Sequence, residues 1–550
     1  MENHIQMGPN HSESNPTLDF DFIVIGSGFG GSVSALRLAE KGYRVAILER
    51  GRRWKSDEFP KTNWEIRKYL WLPLLRCFGI QNLSLFNHVL ILSGSGVGGG
   101  SLVYANTLLK PSDQFFESPV WSGLADWKKE LSPHYETAQR MLGVTENPNL
   151  TFVDLKLREI AEEMGKGETF RPAQLGVFFG EAGKSVPDPY FGGEGPARSG
   201  CTLCGGCMVG CRYNSKNTLD KNYLFFAEKA GVTILPECSV TEINPLGPSQ
   251  NGEHGYEVRF HSSRDWVFKK LRKITAQNVV FSAGVLGTVN LLLKQKYELR
   301  TLPNLSDRLG DAIRTNSEAL VGVTEFSPPK ERDYSRGAAI TSIFHPDDHT
   351  HIEPVRYSKG SSFMRLLAVP MVDGENPILR PLKMLLLIFS QPIRTFRLLT
   401  NSKWAETSVI FLVMQTLDNQ MKFKLGRAWT TLFKKKMVSV WDPTAPKVPA
   451  YIPIGHAVAR AFAKKFGSFP QNAVNEVILN IPTTAHILGG CPIGANAQSG
   501  VVDSEHRVYG YQGMYICDGS VIPANLGVNP SLTITAMSER AMSKIPHRKN

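Results

Sequence analysis

An almost wholly apolar run, Phe20-Asp21-Phe22-Ile23-Val24-Ile25, breaks directly into Gly26-Ser27-Gly28-Phe29-Gly30-Gly31, and few folds accommodate that order. Apolar residues with little alternation predict a strand buried on both faces, as in a parallel sheet. The spacing of Gly26, Gly28 and Gly31 predicts a tight turn whose backbone can approach a pyrophosphate. A helix over 32–41 follows, and its N-terminal dipole favours phosphate charge. Tyr43 to Leu48 reads as a second strand, ended by Glu49, where a carboxylate can accept ribose hydroxyls. Together these describe a dinucleotide-binding unit. The motif alone does not separate NAD from FAD.

A chain of 550 residues exceeds one simple core and predicts two intimately joined domains. Residues 1–18 are rich in Asn, Ser, His and Pro without an apolar stretch, and read as a disordered tail, not a secretory signal. The longest apolar candidate, Met384 to Phe389, falls far short of the ~20 residues of a transmembrane helix. The formal net charge is +12, yet no basic block interleaved with aromatics marks a nucleic-acid site. Anionic lipid or cofactor phosphates account for the sign more simply. Eight cysteines, four of them between Cys201 and Cys211, do not form a secreted disulfide pattern, and a reducing, cytoplasmic setting is expected.

A second glycine run, Ser93-Gly94-Ser95-Gly96-Val97-Gly98-Gly99-Gly100, is too poor in side chains for a strand or helix interior. Through Gly98 and Gly100 it can lie flat against a ligand. Val279 to Gly284 repeats the buried-strand pattern and would return the chain to the nucleotide sheet. Val240 lies on the strand that passes the adenine in such sheets. Near the C-terminus, Met514 to Cys517 is a short strand delivering Asp518-Gly519. Pro530 stands where a helix would begin, and Ser531 to Ile545 reads as that helix. His486 precedes a double glycine, and Asn529 falls at the helix start. An imidazole and a neutral amide converging on one point suit an alcohol, whose hydroxyl proton the histidine accepts while hydride leaves the carbon.

These blocks, Asp21 to Gly31, Ser93 to Asn106, Cys201 to Leu224, Phe281 to Gly287 and Thr484 to Ile545, resemble the glucose–methanol–choline (GMC) oxidoreductases. Within that superfamily the chain is similar to the cholesterol oxidases of the longer, mycobacterial-type branch. The resemblance implies an α/β fold: a Rossmann-like FAD domain interleaved with an α+β substrate domain of antiparallel sheet and helices. It implies His486 and Asn529 as the catalytic pair, with Gly26, Gly28, Gly31, Glu49, Gly100, Val240, Gly284, Asp518 and Gly519 around FAD. It implies oxidation of a sterol 3β-hydroxyl to the ketone by hydride transfer to flavin N5, then reoxidation by O2. Other steroid oxidases also use a glutamate to shift the steroid double bond, for which Glu318, Glu325, Glu353 and Glu375 are candidates. Where the short secreted branch follows the glycine run with Asn-Gly-Gly-Met, this chain has Tyr104-Ala105-Asn106-Thr107.

The FAD domain is expected to draw on residues 19–55, 90–110, 220–310 and 485–550, and the substrate domain on 56–89, 111–219 and 311–484. Cys201, Cys204, Cys207 and Cys211 have the spacing of a bacterial ferredoxin ligand run, with Arg212 where proline usually follows. An iron–sulfur cluster, a zinc site and a metal-free loop of buried thiols all fit that segment, 201–211. From Asn376 to Trp404 the chain carries Arg380, Lys383, Arg394, Arg397 and Lys403 among apolar residues and no acid. Lys422, Lys424, Arg427 and Lys434 to Lys436 extend the basic theme. That composition suits either peripheral contact with anionic lipid or core helices with solvated basic faces. Trp71, Leu72, Leu74, Leu75 and Phe78 form a second apolar cluster, a lid or plain core. Two other functions remain open. One is a GMC dehydrogenase of another lipophilic or long-chain alcohol, serving a quinone or protein acceptor. The other is a non-catalytic flavin protein for lipid binding or redox sensing.

Overall fold

The computed structural model describes residues 18–266 and 268–549, so the tail reading falls almost entirely outside it. The apolar run forms the strand Phe20–Ile25, central in a seven-stranded sheet. It lies parallel to Val45–Leu48 on one side and to Arg272–Phe281 on the other. Residues Ile23, Val24, Val45 to Leu48 and Val279 to Phe281 are buried, as strands covered on both faces require. The ten-residue strand Arg272–Phe281 is shared. Its first half pairs antiparallel with Tyr256–Ser262, and its last three residues pair parallel with Met514–Ile516. The C-terminal segment is thereby brought beside the first glycine turn.

Gly28 caps the helix Phe29–Glu40, which starts earlier than the glycine spacing suggests because Phe29 and Gly30 already wind into it. The second strand begins at Val45, since the Arg44 N–H donates to Asp21 Oδ2 instead of joining the ladder. Gly26 has φ +101, and a Cβ there would sit 2.3 Å from the Ser282 carbonyl. A Cβ on Gly30 would sit 1.7 Å from the Cys517 carbonyl, so this helix lies directly under the strand from the far end of the chain. The helix Ser531–Ser543 packs beside it and against Trp127–Leu142. Arg37 clamps the two ends together through a two-pronged ion pair with Glu539, at 2.7 and 2.8 Å. Tyr223 Oη donates to the same carboxylate at 2.6 Å.

The second sheet is antiparallel throughout, in the order Thr350–Val355, Ser408–Gln415, Ala319–Thr324, Phe469–Ala473, Ala368–Pro370. Alternation sorts its faces. Val321, Val323, Val409, Phe411 and Ile352 pack in one cluster with the helix Pro453–Phe466. Leu320, Ile410, Leu412 and Val355 point the other way, toward the nucleotide sheet. A third, small sheet pairs Thr483–Thr484 in parallel with Leu90–Gly94. That pairing sets His486 next to the start of the second glycine run. Mixed α/β architecture with a Rossmann-like unit is therefore what the chain adopts.

Two glycines of the same turn, with one residue between them, should respond differently. Gly30→Ala is expected to lose about 3 kcal/mol or more in urea unfolding, because backbone must move to admit the methyl. Gly28→Ala, whose added Cβ meets nothing within 4 Å, should stay within about 1 kcal/mol of the parent.

Candidate active site

Between the two sheets runs a cavity of about 560 Å³, a size usual for cofactor and substrate sites. Gly26, Gly28, Glu49, Gly100, Val240 and Gly284 line it, and so do His486, Asp518, Gly519 and Asn529. Gly31 and Gly98 stand one layer behind. A Cβ on Gly31 would lie 2.0 Å from the Gly26 carbonyl, and the Gly98 N–H donates to Ser27 Oγ at 3.1 Å. Both shape the turn without facing the space.

Glu49 does more than the ribose contact expected of it. Its Oε2 accepts from Ser27 N at 3.1 Å and Ser27 Oγ at 2.7 Å. Its Oε1 accepts from Gly51 N at 2.8 Å and Gly96 N at 3.3 Å. One carboxylate thus ties the first glycine turn to the second. Asp518 is fixed by Ser520 N at 2.8 Å and by Thr288 Oγ1 at 2.5 Å. Burial raises its pKa, and those hydrogen bonds oppose the rise. The N-terminus of Ser531–Ser543 opens onto the same cavity through Asn529, Pro530 and Ser531.

The expected pair is present: His486 Nε2 lies 3.4 Å from Asn529 Nδ2. Two carboxylates complete it. Glu318, just ahead of the strand Ala319–Thr324, places Oε1 2.5 Å from His486 Nδ1, while its Oε2 accepts from Ala485 N at 2.8 Å. Glu353 Oε2 accepts from Asn529 Nδ2 at 3.3 Å, and its Oε1 lies 2.9 Å from His351 Nε2. Burial disfavours the His486 imidazolium. The charge and hydrogen bond of Glu318, with the charge of Glu353, outweigh burial and raise its pKa above the ordinary histidine value. With Glu318 at Nδ1, Nε2 is the nitrogen left for a substrate proton. Asn529 Oδ1 is buried without a partner in the chain. On the facing wall Leu320, Val355, Ile410 and Leu412 are apolar. The arrangement is a base and an amide at the rim of an apolar slot.

Of the four candidate glutamates, only Glu318 and Glu353 join this site. Glu325 is taken by Arg332 and Tyr334, and Glu375 is exposed. The role of Glu318 toward His486 and the presence of His351 escaped the sequence reading. Leu72, Leu74 and Leu75 are exposed on an outer turn, while Trp71 is buried.

The four cysteines do not assemble a metal site. Among the described residues no group of three or more His, Cys, Asp or Glu side chains is placed to hold a metal ion. Cys201 Sγ accepts from Leu203 N and Cys211 Sγ from Ser215 N. Burial pushes the Cys207 thiol up to about 11 and the Cys201 thiol up to about 12. Their loop is organised instead by buried Lys216. Its ammonium donates to the carbonyls of Leu102, Tyr104 and Cys207 at 3.0, 2.8 and 2.8 Å. Among the described residues nothing supports the iron–sulfur or zinc reading of 201–211.

Models described as GMC oxidoreductase match residues 197–295 and 422–538, and one described as an NAD(P)-binding Rossmann-like domain matches 24–56. A cholesterol oxidase of Acinetobacter baumannii is 46% identical over 96% of this chain and 94% of its own. One of Mycobacterium tuberculosis is 48% identical over 96% of this chain and 92% of its own. The chain belongs to the GMC oxidoreductase family. It is an FAD-dependent oxidoreductase of alcohols. Among solved structures, a pyridoxine 4-oxidase from Mesorbium loti superposes with a TM-score of 0.59, covering 96% of this chain and all of that one at 15% identity. That likeness is one of fold. As a GMC oxidoreductase, the protein should answer to the Glu318–His486 contact. Glu318→Gln removes the charge that raises the His486 pKa. The acid limb of kcat/KM should therefore move to lower pH, with the plateau down about 10- to 100-fold. An unmoved limb would show that Glu318 does not set the histidine's protonation.

Proposed function

We propose that this GMC oxidoreductase oxidises the 3β-hydroxyl of a sterol to the ketone, with FAD as hydride acceptor and O2 as terminal acceptor. The observation that carries the reading is the His486–Asn529 pair set against an apolar wall. Support for the substrate comes from the two relatives named cholesterol oxidases, each nearly half identical along almost the whole chain. Long-chain-alcohol oxidases of Arabidopsis thaliana stand further off, one at 24% identity. The oxidase names favour O2 over a quinone or protein acceptor.

The residues present fit FAD. Space for a pyrophosphate is open over Gly28, where an added Cβ would touch nothing within 4 Å, at the N-terminus of Phe29–Glu40. Thr107 Oγ1 lines the cavity and is buried without a partner, as is Asn529 Oδ1, so polar groups await a ligand. Gly26, Gly28 and Glu49 would hold the adenosine and phosphate end, with Val240 beside the adenine. Gly100, Gly284, Asp518, Gly519 and Asn529 would hold the remainder. When bound, FAD supplies the two-electron acceptor that the chain itself lacks.

The chain's own part is proton handling and placement. His486 Nε2 accepts the hydroxyl proton as the C–H bond is broken and the C–O double bond forms, so the alcohol yields a ketone, a proton and a hydride. Glu318 steadies the imidazolium that results. Asn529 hydrogen-bonds the substrate oxygen without adding charge. The apolar wall orients the hydrocarbon and excludes water.

Replacing His486 with alanine is expected to lower kcat about 10²- to 10⁴-fold with flavin still bound. The deciding experiment is an anaerobic titration with cholesterol. Bleaching of the flavin bands, reversed by air with release of peroxide, is the expected result, and an unchanged spectrum would refute the sterol reading.

Glu353 supports a second step. A buried carboxylate hydrogen-bonded to Asn529 is suited to carry a proton between carbons of the ketone as the double bond shifts into conjugation. Glu353→Gln should then accumulate unconjugated ketone while alcohol oxidation continues, as read from the conjugated enone's ultraviolet absorbance. Equal loss of both activities would assign Glu353 to the positioning of Asn529 alone.

A further inference from the structure

The helices Leu379–Ser390 and Pro392–Thr400 are apolar on two faces, and the fold covers only one of them. Inward, Met384 and Leu398 are buried. Arg380 is also buried and donates to the carbonyls of Ala450 and Glu476 at 3.1 and 2.9 Å, bolting the first helix down. Outward, Leu379, Leu382, Leu386 and Phe389 recur at helical spacing on one stripe, with Leu386 69% and Phe389 79% exposed. The second helix continues the stripe with Ile393 and Phe396, 74% and 67% exposed. Isolated exposed apolar residues are ordinary, but a contiguous row of this size marks an interaction surface.

The charge around the row selects the partner. Lys383, Arg394, Arg397 and Lys403 are exposed, and no acid occurs between Asn376 and Trp404. A second copy of this chain would set those cations against their own kind across a two-fold axis. At the edge stands Trp64, 40% exposed, its ring edge-on to Phe363 at 5.3 Å and beneath the Arg365 guanidinium. Tryptophan with a neighbouring cation is typical of the lipid headgroup level. No helix of the described residues is long and apolar enough to cross a membrane. A short pair of this kind lies in the plane of the interface instead.

We infer that this helical pair seats the protein on an anionic lipid bilayer, with Leu386, Phe389, Ile393 and Phe396 in the acyl boundary and the four cations among the headgroups. The second helix packs on Phe363–Leu367. Within that turn Leu366 faces solvent while Met364 lines the cavity, so the bilayer would lie one layer from the active site. The inference stands on the surface alone and does not depend on the sterol reading.

Sedimentation of the whole protein with sterol-free vesicles tests it. Vesicles of phosphatidylcholine with phosphatidylglycerol should carry the protein down, and those of phosphatidylcholine alone should carry much less. The double variant Phe389→Asp, Ile393→Asp should lower the bound fraction by about tenfold or more. Arg394→Glu with Arg397→Glu should weaken binding to the anionic vesicles and flatten its salt dependence. Unchanged flavin content and Tm in both variants show that folding is intact. The inference is overturned if the parent stays in solution with anionic vesicles, or if both variants bind as the parent does. It is overturned equally if sedimentation velocity shows a dimer that Phe389→Asp dissociates, since the partner is then a second copy. Loss of the cholesterol response with vesicle binding intact would refute the substrate and leave this surface standing.

Discussion

Four donors converge on the carboxylate of Glu49, and the geometry of the cavity depends on it. Glycine-rich turns have little intrinsic preference for one shape, because each glycine loses the most conformational freedom on folding. A buried carboxylate that accepts Ser27, Gly51 and Gly96 at once sets the two turns in fixed register. A Cβ on Gly99 would lie 2.7 Å from Gly28 Cα, so the turns touch backbone to backbone. The charge is buried and fully hydrogen-bonded, which is the condition under which burying it is tolerable.

The same logic recurs across the cavity with Glu318 and Glu353. Both are buried, Glu353 within a strand of the antiparallel sheet and Glu318 just before one. Each is compensated by a histidine, at 2.5 and 2.9 Å. In the proposed reaction the compensation serves chemistry: a carboxylate held against Nδ1 makes His486 a stronger base at Nε2, and a second carboxylate holds the Asn529 amide at its side. Positioning comes from strands and the segments at their ends, since Glu318 stands just before one strand of the sheet and Glu353 lies within another. His486 follows a strand paired to the glycine-run hairpin.

Lys216 does for the cysteine loop what Glu49 does for the glycine turns. Burial lowers its pKa to about 7, with the nearby thiols and Asp220 opposing the shift. The three carbonyls it bonds join the end of the glycine run to Cys207. A loop whose spacing invites a cluster is thus held by one amine. Spacing reports which ligands a metal would find along the chain, whereas the backbone path decides whether they converge.

Glycine spacing, apolar strands and the His486 and Asn529 segments were legible because they are local: a turn, a buried strand or a helix start leaves its mark within a few residues. The sequence by itself determined the nucleotide-binding unit and the family resemblance, and it singled out His486 and Asn529, which the fold brings together. Helix and strand limits shifted by a few residues, where Phe29 and Gly30 wound into the helix and Arg44 bonded Asp21. The strand Ser408–Gln415 is apolar at nearly every position, so nothing in it announces that Ile410 and Leu412 face the cavity while Phe411 faces the helix. Only the tertiary structure decided that Glu318, out of four glutamates, meets His486, that Glu353 stands behind Asn529, and that the acid-free helices lie on the surface. Each of those facts depends on contacts between residues far apart in the chain, and long-range pairing leaves no periodicity to read.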